Sequence, residues 1–274
     1  MSEHRAGAEE RGAGTVTVVV PCYNEARRLD VGAFAAFLDA RPWVSFLFVD
    51  DGSRDETLTV LRRIEQHSPA RARVLALPRN RGKAEAVRQG MLDAMASGSA
   101  YVGFWDADLS TPLEVIADFQ LLLDTNPELA IVMGARIRLL GRAIERPTFR
   151  HYAGRVFATA ASLVLRLPVY DTQCGAKMFR VSPELGSVLA EPFRTTWVFD
   201  VELLARFVRM RAHGSGPSAQ GAIYEMPLMR WADVAGSKLR PRDYVTAVRD
   251  LWRIHRAYFG GTIREAATSP PVED

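Results

Sequence analysis

Apolar residues in this chain gather in short unbroken runs, each closed by a polar cluster and followed by a segment of helical period. Residues 15–21 (TVTVVVP) are β-branched up to the proline and show no alternation, which predicts a strand buried on both faces. Residues 45–49 (SFLFV), 73–77, 101–105 (YVGFW) and 129–133 predict four more strands. Helices are expected between them, over 27–40 (ended by Pro42), 56–67, 84–97 and 112–124. Ser53 or Asp55 serves as cap for the second, and Ser110 or Thr111, followed by Pro112, for the fourth. Strand, loop and helix in repetition build an open, mostly parallel α/β sheet with helices on both faces, a Rossmann-like arrangement.

The second half reads differently. An Ala-rich amphipathic helix spans 150–167, a polar loop over 171–180 enters a short strand, and a helix runs from 197 to about 213. After a loop over 213–221, residues 223–231 predict an antiparallel edge strand, with Pro227 favouring the edge. A polar loop (232–240) and an amphipathic helix (243–258) complete the pattern. With no internal repeat and no long linker, 15–260 reads as one domain, 1–14 as a disordered tail and 261–274 as a flexible C-terminal tail. Polar clusters at 22–25, 50–55, 79–83, 106–111 and 134–136 all fall at strand C-termini, the edge at which open α/β sheets bind ligands.

Composition narrows this picture. A net charge of +3 on 274 residues is too small to argue for nucleic-acid binding, which is not expected, and leaves room for phosphorylated ligands or an anionic membrane surface. Cys22 and Cys174 form neither a C-x-x-C pair nor a zinc spacing and suit a reducing cytoplasm. Residues 1–14 lack the apolar core of a signal peptide, and no stretch reaches the ~20 apolar residues of a membrane span.

The candidate chemistry centres on Asp106 and Asp108. In extended backbone they point to the same side of a strand end, where two carboxylates repel unless a cation lies between them. Mg²⁺ or Mn²⁺ answers that need, and a pair of solvated turn aspartates is the plainer alternative. Asp50-Asp51-Gly52-Ser53 reads either as a turn or as a carboxylate pair facing a base or ribose. Lys83, ahead of a helix N-terminus, suits a diphosphate. Neither G-x-G-x-x-G nor a P-loop is present, which disfavours dehydrogenases and P-loop kinases.

In order and spacing, Pro21-Cys22-Tyr23-Asn24-Glu25, Val49-Asp50-Asp51-Gly52-Ser53, Asn80-Gly82-Lys83 and Asp106-Ala107-Asp108 resemble the GT-A glycosyltransferases of family 2. Gly134-Ala135-Arg136, residues 171–177 (DTQCGAK), Phe199-Asp200-Val201-Glu202 and residues 231–239 (WADVAGSKL) are similar to the dolichyl-phosphate glucosyltransferase branch, with the mannosyltransferases next to it. The resemblance covers about 15–258. It implies an inverting, metal-dependent transfer of a hexose from a nucleotide sugar, UDP-glucose ahead of GDP-mannose, to a polyprenyl-phosphate acceptor. It also implies roles. Pro21, Tyr23 and Glu25 frame the nucleobase, Asp51 meets base or ribose, and Lys83, Asp106 and Ala107 hold the nucleotide. Asp108, with Asp106 behind it, ligates the metal. Arg136, Arg150 and Lys238 receive the acceptor, and Asp171 and Asp200 act as orienting or basic catalytic groups.

Three departures weigh against the lipid acceptor: no N-terminal membrane helix, Ala176 where the branch carries Phe, and Asp233 where it carries Glu. A glycosyltransferase with a soluble hydroxyl acceptor and a sugar-phosphate nucleotidyltransferase are the alternatives, although the Gly-rich first loop of the latter is missing. An aspartate-nucleophile phosphatase would carry its D-x-D on the first strand, not the fourth. The last helix, with Trp252, Ile254 and Tyr258 among arginines, is expected either to pack on the domain or to touch the inner face of a membrane peripherally.

Overall fold

The computed structural model describes residues 14–145, 148–212, 217–232 and 241–260. Its strands are β1 (Val16–Cys22), β2 (Val44–Asp50), β3 (Ala72–Ala76), β4 (Tyr101–Trp105), β5 (Ile131–Ala135), β6 (Ala143–Glu145), β7 (Ala176–Arg180), β8 (Ile223–Pro227) and β9 (Arg230–Ala232). Its helices are α1 (Val31–Ala40), α2 (Thr57–His67), α3 (Lys83–Ala96), α4 (Val115–Thr125), α5 (Thr148–Leu165), α6 (Pro183–Ala190), α7 (Phe199–Ala212), α8 (Ala219–Ala222) and α9 (Pro241–Tyr258). Seven strands form one sheet in the order β3-β2-β1-β4-β7-β5-β8.

The unbroken apolar runs are explained by two cores. Val16, Val18 and Val20 of β1 join Phe46 and Phe48 of β2 on one face, where α1, α2 and α4 pack. Val19, Leu47, Val49 and Phe104 face the other core, formed with α3, α6 and α7. Because successive side chains on a strand alternate in direction, a strand covered on both faces is apolar except where a buried polar group finds a partner, as Thr17 of β1 does at Ser99 Oγ, 2.6 Å away. Phe34 of α1 meets the edges of Phe46 and Phe48 at centroid distances of 5.2 and 5.1 Å, which sets the seat of that helix.

Several expectations are corrected. The first helix begins at Val31 and not at 27, because Glu25–Leu29 close a turn and Asp30 is the cap, accepting from the Ala33 amide at 2.9 Å. The fourth helix begins at Val115; Trp105 Nε1 donates to the Thr111 carbonyl at 3.0 Å and holds 106–111 in a separate turn. The 223–231 strand is two strands, and its edge portion β8 runs parallel to β5, because the chain leaves β7 antiparallel to β5 and has reversed its direction by β8. At Pro227 it leaves the sheet, and β9 pairs with β6 in a small separate ladder. The short strand that follows the 171–175 loop is β7, inserted antiparallel between β4 and β5 in the middle of the sheet. Helix α6 was not anticipated; Ser182 caps it at the Leu185 amide, with Pro183 at its start. The two tails, 1–13 and 261–274, and the 233–240 loop lie outside the described residues.

Candidate active site

The C-terminal edge of the parallel strands opens into a cleft of about 600 Å³. Pro21, Tyr23, Glu25, Asp51, Lys83, Asp106, Ala107, Asp108, Arg136, Asp171 and Asp200 all line it, so the structure brings together eleven of the residues singled out in the sequence. Lys238 lies outside the described residues, and Arg150 is placed only as a member of α5.

On one side, three loops are tied into a single wall. The Asn24 amide donates to Ser53 Oγ at 3.0 Å, and Asn24 Oδ1 accepts from the Arg54 amide at 2.9 Å. The Glu25 amide reaches Thr57 Oγ1 at 2.8 Å, and Asp55 accepts from the amides of Ala26 and Thr57. Burial pulls the Asp55 carboxyl upward, but these bonds, led by that from the Thr57 hydroxyl, hold it below the usual carboxylate range. Asp51 ties the next loop in the same way. Its carboxylate, 2% exposed, accepts from the Arg81 amide (2.7 Å), the Gly82 amide (2.8 Å) and Asn80 Nδ2 (3.0 Å). That uses three of about four acceptor positions and leaves one for a ligand. Gly52 makes the approach possible: its φ is +65°, and a Cβ there would sit 2.5 Å from the Arg79 carbonyl carbon.

The Asp-Ala-Asp segment is a turn and not an extended strand end. The Leu109 amide closes back on the Asp106 carbonyl, and Leu109 itself has φ of 54°. The two carboxylates therefore meet different cations. Asp106 Oδ1 pairs with Lys83 Nζ at 2.5 Å, and Asp108 Oδ2 with Arg28 Nη2 at 2.8 Å. Desolvation in the cleft works against the Lys83 ammonium, yet Asp106, Asp200 and Asp108 together hold its pKa above the ordinary lysine value. Gly175 is the floor under Asp106: a Cβ at that position would lie 1.8 Å from Asp106 Oδ2. Among the described residues, no group of three or more His, Cys, Asp or Glu side chains is arranged to hold a cation. Asp106 and Asp108, two carboxylates of one turn that both line the cleft, fit a divalent cation that takes one or two protein oxygens and the rest from phosphates and water.

The far side carries two ion pairs. Arg136 grips Asp171 with a fork, Nε to Oδ2 at 2.6 Å and Nη2 to Oδ1 at 2.8 Å, and its guanidinium lies 5.2 Å from the Trp231 ring centroid. Burial works against the Arg136 charge, but the Asp171 carboxylate outweighs it and raises the pKa further. Glu225 of β8 fixes the loop from behind, accepting from the Tyr170 and Asp171 amides at 2.7 Å each, and burial raises its pKa. Deeper in, Lys177 of β7 is fully buried; its Nζ donates to Asp200 Oδ1 at 2.5 Å and to the Cys174 carbonyl at 2.7 Å, over the Phe104 ring. Glu202, also in the first turn of α7, is buried and accepts from the Thr195 amide, Arg206 and Tyr258, which holds the loop carrying Trp197. Lys177 and Arg28 are functional candidates that sequence reasoning missed. A lysine inside the apolar run Ala176–Phe179 was a legible signal for the first; Arg28, one of two adjacent loop arginines, carried none.

Apolar lining comes from Phe157 and Ala158 of α5, Ala247 of α9, Phe199 and Trp197, and further polar lining from Asn80, Ser110, Thr172, Gln173 and Thr196. The cleft thus offers a rigid pocket, two carboxylates each with a long-chain cation beside it, and an apolar wall.

A model of the glycosyl transferase family 2 domain matches residues 17–185. The chain is 32% identical to a dolichyl-phosphate β-glucosyltransferase of Drosophila melanogaster, over 92% of this chain and 78% of that protein. It is 31% identical to the human protein of the same description, over 91% and 77%. In fold it is similar to the glucosyl-3-phosphoglycerate synthase of Mycobacterium tuberculosis, solved with Mn²⁺, uridine diphosphate and glucosyl-3-phosphoglycerate, with a TM-score of 0.63 at 19% identity, covering 95% of this chain and 85% of that one. With the family domain spanning most of the sheet and its strand-end cleft, the chain is a GT-A-fold glycosyltransferase and belongs to glycosyl transferase family 2.

Proposed function

We propose that the chain transfers glucose, with inversion, from UDP-glucose to a polyprenyl phosphate, and that the reaction depends on Mg²⁺ or Mn²⁺. The observation that carries this reading is the joint lining of one cleft by the tied 22–28, 51–57 and 79–83 loops, the Asp106/Asp108 turn and the Arg136–Asp171 pair. The donor and acceptor follow the names of the relatives, dolichyl-phosphate β-glucosyltransferases. GDP-mannose stays the second donor to test.

Pro21, Tyr23 and Glu25 would frame the base, and Asp51 would present its one remaining acceptor position to base or ribose. Lys83 would meet the diphosphate, with Asp106 and Ala107 beneath the nucleotide. Asp108, backed by Asp106, would hold the metal; when bound, a divalent cation neutralises charge gathering on the leaving nucleoside diphosphate. An oxygen of the acceptor phosphate attacks the anomeric carbon in line as the bond to the donor diphosphate breaks. That phosphate is already anionic, so it needs cations more than a base. Arg136 has three N–H donors beyond the two that hold Asp171, and Arg150 and Lys238 are the other candidates. Asp171 and Asp200, each fixed by its own cation, orient the sugar and acceptor.

The apolar wall supports a lipid over a soluble hydroxyl acceptor. So does the outside of the same helices. Tyr152, Val156 and Leu163 are exposed along one stripe of α5, as are Val248 and Trp252 of α9 beside Arg249, Arg253 and Arg256. Such a face suits peripheral contact with an anionic bilayer. Among the described residues, no helix is long and apolar enough to cross a membrane.

The test is product analysis after incubation with UDP-glucose or GDP-mannose and a polyprenyl phosphate, with Mn²⁺ or with EDTA. A β-linked glucosyl phosphate formed only with metal is the expected result. Transfer to glycerol phosphates alone would move the acceptor to the soluble class. Formation of nucleotide sugar from a nucleoside triphosphate and sugar phosphate would overturn the transferase direction altogether.

A further inference from the structure

We infer that Arg28 is a donor-diphosphate residue that competes with the metal for Asp108 until the nucleotide draws it away, so that metal and nucleotide bind as a linked pair. The inference rests on the donor reading above and goes beyond it. Both Asp108 oxygens are already engaged: Oδ2 by Arg28 Nη2 at 2.8 Å, and Oδ1 by the Ser110 amide at 3.0 Å. A divalent cation that takes Asp108 must therefore evict a guanidinium or sit beside one, and two cations on one carboxylate repel each other. Glu25, 3.4 Å from Arg28 Nε, is one anion already beside the guanidinium, and a donor diphosphate would be a second. Arg28 lines the cleft on the same loop as Tyr23 and Glu25, on the side where Lys83 meets Asp106. A diphosphate placed between the base pocket and the Asp106 turn passes directly beside it.

Two further observations fit. Arg28 Nε is buried and has no hydrogen-bond partner; Glu25 Oε2, its nearest carboxylate oxygen, is 3.4 Å away. That donor is held only by its 3.4 Å ion pair with Glu25 and makes no hydrogen bond of its own. The planar fork of arginine also matches two phosphate oxygens at once, which a lysine at this place would not. By linkage, whatever draws Arg28 off Asp108 strengthens metal binding, and metal on Asp108 frees Arg28 for phosphate to the same degree.

The experiment titrates Mn²⁺ into the full chain, reading free Mn²⁺ by electron paramagnetic resonance, with and without UDP; UDP binding without metal is measured by calorimetry. Wild type is expected to bind Mn²⁺ weakly alone and more tightly with UDP. Arg28→Gln should bind Mn²⁺ alone about tenfold more tightly and UDP alone about tenfold more weakly, the scale of one charge-assisted hydrogen bond. Arg28→Lys keeps the charge without the fork and should share the UDP defect, which covers the case of a misfolded glutamine variant. Arg27→Gln removes the same charge from an exposed neighbour and should stay within about twofold of wild type if contact rather than long-range field is responsible. Equal Mn²⁺ affinity in wild type, R28Q and R27Q, with normal UDP binding in wild type, overturns the inference alone. Wild type that binds neither UDP nor Mn²⁺ overturns the donor reading as well.

Discussion

Replacing Lys177 by Met tests whether the second half of the cleft is built as described. The side chain is fully buried, and its ammonium spans Asp200 Oδ1 at 2.5 Å and the Cys174 carbonyl at 2.7 Å. Methionine fills much the same volume, so little of the loss comes from packing. What remains is the Asp200 carboxylate, 6% exposed, deprived of its cation. Breaking one partner of a buried pair costs about 3–5 kcal/mol, whereas removing both charges is often close to neutral. Lys177→Met is therefore expected to lower the melting temperature by on the order of 10 °C, taking about 2–4 °C per kcal/mol for a chain near this size. The double variant Lys177→Met/Asp200→Asn should recover most of that loss. Activity should not follow stability: if Asp200 orients sugar or acceptor, both variants stay inactive. Calorimetric melting together with a steady-state transfer assay reads both. A single variant within about 1 kcal/mol of wild type would refute the claim that a buried charge pair anchors this wall.

Other expectations are briefer. Gly175→Ala places a Cβ 1.8 Å from Asp106 Oδ2, so the carboxylate must swing away from Lys83. A misplacement of ~1 Å in a site of this kind costs about a hundredfold, to be seen in kcat/KM with the melting temperature nearly unchanged. Asp108→Asn should abolish metal-stimulated transfer while leaving the melt within about 1 kcal/mol, the scale of a partly exposed pair; normal turnover would end its assignment to the metal. Burial pushes the Cys174 thiol up to about 11. A raised pKa keeps the thiol neutral below that value, so its thiolate at pH 8 is scarcer than in the unfolded chain by about a hundredfold. Thiol reagents should modify Cys174 at pH 8 only after denaturation. The same sign predicts that the fold loses this contribution as pH climbs from about 9 to 11, and a Cys174→Ala variant should lack that component of the alkaline slope.

Sequence alone sufficed for the alternation of strand and helix, the parallel half of the sheet and the edge on which chemistry collects. Those features rest on local rules: a strand covered on both faces takes a polar residue only where a buried partner satisfies it, and exposed loops at strand ends are polar. The Asp106 and Asp108 pair, Lys83 and the Arg136–Asp171 region were legible for the same reason, being charged clusters at strand ends whose order resembled a known family. Which charge meets which was settled only by folding. Asp106 faces Lys83 and Asp108 faces Arg28 because the turn at Leu109 splits two carboxylates that an extended strand would have aligned. Sheet assembly likewise put β7 antiparallel in the centre, which carries Lys177 beneath Asp200. Pairings over 80 residues of chain, such as Arg28 with Asp108, leave no trace in spacing. They exist only once sheet order has brought the ends of β1 and β4 side by side, where Asp106 and Asp108 rest against different cations.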